Sequence, residues 1–295
     1  EEGEEGEGGE KAPKPKKATA GPQPERIPAE VDAATAMASD QPSGPVGLLG
    51  GLRSVALQLE TPIMGGAVIG LSAIENAYLV LSAKGVGPYH PDVAALRVVI
   101  EHLTALEGDF WVRLRGAGLT YGASLNNESQ SEQLQLTLYR CADALAAYSA
   151  SKEIVADYAS GKASISQIDL DGAKSSLTYS IISSAANKPA AVVSQWAAGY
   201  TGVQADYNSW LLSQVDDVSA ADALHALKTH LTPLFDSSAV LVASSPAGKA
   251  NELAMSLGEA HAGEPLPVIP EEELSSKFGS CGAKVSTAAG VVDVE

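Results

Sequence analysis

The sequence predicts a mixed α+β fold, a largely antiparallel sheet with helices packed on one face. Three observations predict it. "AYLVLSAK" (77–84) is a short apolar run rich in strand formers. "LTYGASL" and "QLQLTLYR" alternate with period two on either side of the polar "NNESQSE" (126–132), the pattern of an antiparallel hairpin with a long loop. Most of the chain beyond residue 141 has helical character.

Taken in order, the chain opens on an acidic glycine block and a lysine–proline block within its first 30 residues. Such composition buries too little apolar surface to offset its ordering entropy. Residues 1–44 are therefore expected to be a disordered linker, dispensable for folding at least over the first 30 or so. Residues 45–65 are transitional, broken by Gly50, Gly51 and Pro62. The folded domain is expected over 66–262, with 263–295 as a tail.

Within that domain, "HPDVAALRVVIEHLTAL" (90–106) places proline and aspartate in a first turn. Val93, Leu96, Ile100 and Leu103 then recur at helical spacing. A short helix should run through Phe110 and Val112 to Arg115. In the hairpin, Leu119, Tyr121, Ala123 and Leu125 share one face, as do Leu134, Leu136 and Leu138. Helices are expected near 142–159, 169–186, 188–199, 204–214, 219–234 and 249–258, and a strand over 238–245. No short-period repeat is present.

Bulk properties restrict partners. The 295 residues carry a net charge of −17, and the first 30 account for only −3 of it through five basic and eight acidic side chains. The acidic field repels phosphate backbones and anionic lipid and favours cationic peptides or basic protein surfaces, so no nucleic-acid partner is expected. The apolar runs at 61–74 and 189–205 are too short or too polar to span a membrane. Cys141 and Cys281 stand in no metal spacing. With no secretory signal, they fit an intracellular, reducing compartment, cytoplasmic or organellar (mitochondrial or plastid). The chain starts at Glu1 rather than methionine, so the natural start and any targeting peptide are expected to lie outside it.

Few residues arrange themselves for chemistry. "VVIEHL" approaches the inverted zinc motif H-x-x-E-H, but Val98 occupies the first ligand position and cannot bind metal. Arg97 and Glu101, four apart, read as a solvated ion pair. His225 and His230 are five apart and share no helical face, and His90 and His261 stand alone. No metal ligand set is predicted, and the chain by itself should bind no zinc. There is no G-x-S-x-G elbow, and "GAKSS" near 172 lacks the pattern of a phosphate loop. "RGAGLTYG" (115–122) remains, with Arg115 and Tyr121 six apart across a glycine turn. In its plain reading, Tyr121 is core beside leucines and Arg115 complements a helix C-terminus.

The run "YHPDVAALRVVIEHLTALEGDFWVRLRGAGLTYGASL" resembles the last domain of the pitrilysin/insulinase metallopeptidases, the inverzincins, and most of all their presequence-protease-like branch. The resemblance covers roughly residues 66 to 260 and is carried by Arg115, Gly118, Leu119, Tyr121 and Gly122. It implies the substrate-clamping C-terminal part of a zinc metalloendopeptidase that degrades peptides. Arg115 and Tyr121 would then be catalytic, reaching across a closed chamber to the substrate backbone and the tetrahedral oxyanion. Gly116, Gly118, Leu119 and Gly122 would line the substrate. It further implies a zinc cofactor held by the N-terminal half of the complete enzyme, absent from this chain. The alternative is a non-catalytic structural or assembly homologue of the same fold.

Overall fold

The computed structural model describes residues 65–129, 131–201, 203–204, 206–274, 284–287 and 290–293. The expectations for residues 1–44 and nearly all of 45–65 fall outside these.

Six strands form one sheet: β1 (Gly66–Leu71), β2 (Ala77–Lys84), β3 (Thr120–Glu128), β4 (Gln133–Cys141), β5 (Val240–Pro246) and β6 (Val268–Pro270). Their spatial order is β3-β4-β2-β5-β1-β6. The β3–β4, β4–β2 and β2–β5 pairs are antiparallel, and β1 pairs in parallel with both β5 and β6. The expected mixed, largely antiparallel sheet is the one observed.

Alternation decides which face is covered. Leu79 and Leu81 on β2, Leu134, Leu136 and Leu138 on β4, and Leu241 and Ala243 on β5 are buried beneath helices. The intervening Tyr78, Val80 and Ser82 are only half-buried. Helix α1 (Val93–Thr104) packs its Leu96, Val99 and Leu103 stripe on this core. Helix α2 (Ala144–Ser160) contributes Ala147, Tyr148, Ile154 and Val155. It starts where the Asp143 side chain accepts from the Ala146 amide and stops at Gly161, whose φ of 81° suits glycine. Helix α3 (Gln167–Ser183) buries Leu170, Ala173, Leu177 and Ile181, a single stripe at spacings of three and four. Helices α4 (Lys188–Thr201), α5 (Tyr207–Asp217) and α6 (Ala220–Ala226) come next. A π-helical turn (Leu227–Leu231) and a 3-10 turn (Thr232–Phe235) then lead into β5.

The domain does not stop at residue 262. Helix α7 (Ala250–Ala262) leads through buried Leu266 into β6, where Ile269 is buried and pairs with Ile69. The first part of the expected tail is therefore a sheet strand. Beyond it, β7 (Lys284–Thr287) and β8 (Gly290–Asp293) form an antiparallel hairpin. Among the described residues, no helix is long and apolar enough to cross a membrane.

Candidate functional site

The helix expected before Arg115 is a π-helical turn, Trp111–Gly116. Its wider winding is common where a side chain must be re-aimed. Two anchors hold it. Arg113 donates to Asp157 of α2 at 2.7 Å and pairs with Glu153 at 3.0 Å. Ahead of the turn, Tyr158 donates its hydroxyl to Asp109 at 2.6 Å, while His102 Nε2 lies 3.0 Å from the same hydroxyl. Arg113 thus ties the turn to α2, leaving Arg115 free for the other side.

Arg115 stands between two rings, its guanidinium 4.2 Å from the Trp111 centroid and 5.0 Å from that of Tyr121. Cation–π attraction on both sides fixes a side chain that would otherwise sample many rotamers. Tyr121 is 61% exposed. The core reading of this tyrosine fails because it lies at the start of the edge strand β3, where neither the helices nor a further strand cover it. Tyr139 of β4, 48% exposed, meets Tyr121 at 6.4 Å and Tyr78 of β2 at 5.3 Å. The aromatic row exists because the β2–β4 register shifts between Ala77 and Leu79, opposite Tyr139 and Arg140, and Arg140 takes a φ of 56°. Such a bulge turns side chains to the other face. Nothing in the sequence pattern singles out Trp111, Tyr139 and Tyr78. The bulge that gathers them leaves no mark in local periodicity.

The other members of the motif differ in role. Gly118 has a φ of 72°, a conformation glycine adopts without penalty, so the turn depends on it. Gly116 and Gly122 have no such φ, and a methyl group at either would meet no tight contact. Leu119 is half-buried, packs against the core and is held by backbone hydrogen bonds to Leu114 and Ala142. Its side chain therefore supports the turn from beneath. Among the described residues, Arg115 and Tyr121 do not line clefts of about 430, 190 and 480 Å³. They stand on an open surface, one wall without an opposing wall among the described residues.

The near-motif on α1 cannot seat the zinc of a metallopeptidase. Val98 is fully buried in the core, Glu101 accepts from Ser176, and His102 is engaged with Tyr158. Arg97 and Glu101 also part company, Arg97 turning to the Tyr207 hydroxyl. His261, isolated in the sequence, is a core residue. Its Nε2 donates to the Ala239 carbonyl and its Nδ1 accepts from Tyr148. His90, isolated in the sequence, and His230, read there only against His225, come together around Asp92, their rings 5.5 Å apart.

No family model matches the chain. It is similar to the uncharacterized protein YOL098C of Saccharomyces cerevisiae, at 29% identity over 202 residues, covering 66% of this chain and 20% of that protein. It is also similar to the uncharacterized protein C3H1.02c of Schizosaccharomyces pombe, at 28% identity over 174 residues, covering 58% and 17%. The chain spans about a fifth of the length of the curated relatives it matches. Among solved structures it is similar to a protease from Helicobacter pylori, with a TM-score of 0.52 and 16% identity over 63% of this chain and 46% of that one. A second is the inactive peptidase domain of a candidate zinc protease from Bordetella parapertussis, with a TM-score of 0.51 and 15% identity over 60% and 94%. At these identities the likeness is one of fold: the chain has a metallopeptidase-like α+β domain.

Proposed function

We propose that this chain is the substrate-clamping, C-terminal part of a zinc metalloendopeptidase that degrades peptides. The observation that carries the reading is the placement of Arg115 and Tyr121 side by side, exposed, at the mouth of an edge strand. The zinc belongs to an N-terminal half that this chain does not include. The peptide lies between the two.

Arg115 is permanently charged, and the two flanking rings orient it before substrate arrives. It meets a substrate carbonyl in the ground state, holding the peptide backbone. The Tyr121 hydroxyl donates to the oxygen that becomes negative as the scissile carbonyl is attacked. Donors fixed in advance toward such an oxyanion contribute on the order of 10²–10³ in rate. The acidic field of the chain draws cationic peptides toward this wall.

A double-mutant cycle in the complete protein tests the shared role. Arg115→Ala should weaken peptide binding and lower kcat, and its loss combined with Tyr121→Phe should be less than additive, because both groups serve one oxyanion. Strict additivity with unchanged peptide affinity would separate the two residues and remove the clamp. A complete protein lacking H-x-x-E-H upstream would leave the non-catalytic homologue in its place.

A further inference from the structure

Against the sequence expectation that the chain by itself binds no zinc, we propose that His90, Asp92 and His230 form a binding site for a divalent cation of the zinc type. Their ligand atoms all lie within 4.8 Å of one another. His90 and Asp92 come from the loop that enters α1. His230 comes from the π-helical turn Leu227–Leu231, 138 positions after Asp92.

Three features set this cluster apart from an ordinary ion pair. First, Asp92 stands at the N-cap of α1, where an aspartate ordinarily accepts from the helix's own first amides, yet it makes no capping bond. Its Oδ2 is engaged instead with His230 Nε2, at 2.8 Å. The carboxylate is turned away from its helix and toward the imidazole.

Second, the donor set is two imidazoles and one carboxylate. An all-oxygen site would suit calcium or magnesium. Nitrogen-rich sets with one carboxylate suit zinc and its first-row neighbours. A tetrahedral ion with ligands at about 2.0–2.2 Å holds neighbouring ligand atoms roughly 3.3–3.6 Å apart. Reaching that size means opening the 2.8 Å Asp92–His230 contact slightly and swinging the outermost ring inward. His90, whose side chain is 41% exposed, has room to swing but gives up the hydrogen bond its Nδ1 accepts from the Asp92 amide at 3.1 Å, while His230 is only 12% exposed.

Third, there is a way in. Both imidazoles line the cleft of about 480 Å³ bounded by Gly85, Val86 and Pro233. With three protein ligands, a fourth position would be left to water or a small ligand, the arrangement of an open zinc site. A bound ion would also tie the loop before α1 to the turn before β5, stabilising the folded state by mass action.

The test uses the metal-free 295-residue chain, with cobalt(II) followed by its visible absorption and zinc followed by calorimetry. The proposal predicts one saturable ion per chain, a ligand-field spectrum of low coordination number and a thermal midpoint raised by zinc. His90→Ala and Asp92→Asn should each weaken binding by at least the 10–100-fold typical of damaged metal shells. His225→Ala, outside the cluster, should change nothing. His90 is exposed and Asp92→Asn preserves shape, so both variants should fold, as circular dichroism would verify. Absence of saturable binding would overturn the proposal. So would binding unchanged in the folded His90→Ala and Asp92→Asn chains, because the ion would then sit elsewhere.

Discussion

Cys141 lies at the end of β4, 2% exposed, with burial pushing its thiol up to about 11. At neutral pH almost none of it is thiolate, the form that reacts. Iodoacetamide should therefore label Cys141 in the native chain at least tenfold more slowly than in urea, as peptide mass mapping would read. Equal rates would contradict the burial. His102 carries a second prediction. Its folded pKa lies below 6.5, first because burial penalises the imidazolium, with Asp169 and Asp109 pulling the other way. The folded state then binds fewer protons than the unfolded one. The contribution is complete above pH 6.5 and is lost as pH falls through the depressed folded value. The difference in stability between the wild type and His102→Gln should shrink over that window. A pH-independent difference would contradict it. Arg115 and Tyr121 were legible as a pair in the sequence. The stacking of Arg115 on Trp111 and the exposure of the pair were not, since they depend on the π-helical turn and the β4 bulge.

At the scale of elements, the antiparallel half of the sheet is easy to read and the parallel half is not. β4 alternates buried Leu134, Leu136 and Leu138 with more exposed neighbours because one face meets helices and the other does not, whereas in β3 the phase slips between buried Thr120 and buried Leu125. β1 and β6 lack that mark: "GAVIGL" is nearly all apolar and "VIP" is three residues long. Only pairing across the fold makes them strands. The same contacts give β6 its weight. Leu266 donates its amide to Ala254 of α7, and a methyl group on Gly258 would collide with the backbone of Glu264 and Leu266. Ending the chain at residue 262 should therefore cost roughly 3–6 kcal/mol from the burial of Leu266 and Ile269 alone. Urea unfolding would measure it, and an unchanged midpoint would make β6 an ornament on the sheet. Gly258→Ala should destabilise in the same direction by driving the two backbones apart.

For the whole molecule, the decisive fact is a row from half-buried Trp111 through exposed Arg115, Tyr121 and Tyr139 to half-buried Tyr78, facing no opposing wall among the described residues. The matched region makes up about a fifth of the curated relatives' length, and those relatives have room for such a wall outside it. The most direct test is the kcat of Tyr121→Phe in the complete protein. The substitution keeps the ring that stacks on Arg115 and removes only the donor. A hydroxyl that strengthens its bond as charge develops predicts at least a tenfold fall in kcat with the fold and thermal midpoint unchanged. Full activity in the correctly folded variant would contradict the clamp and leave Tyr121 a surface tyrosine.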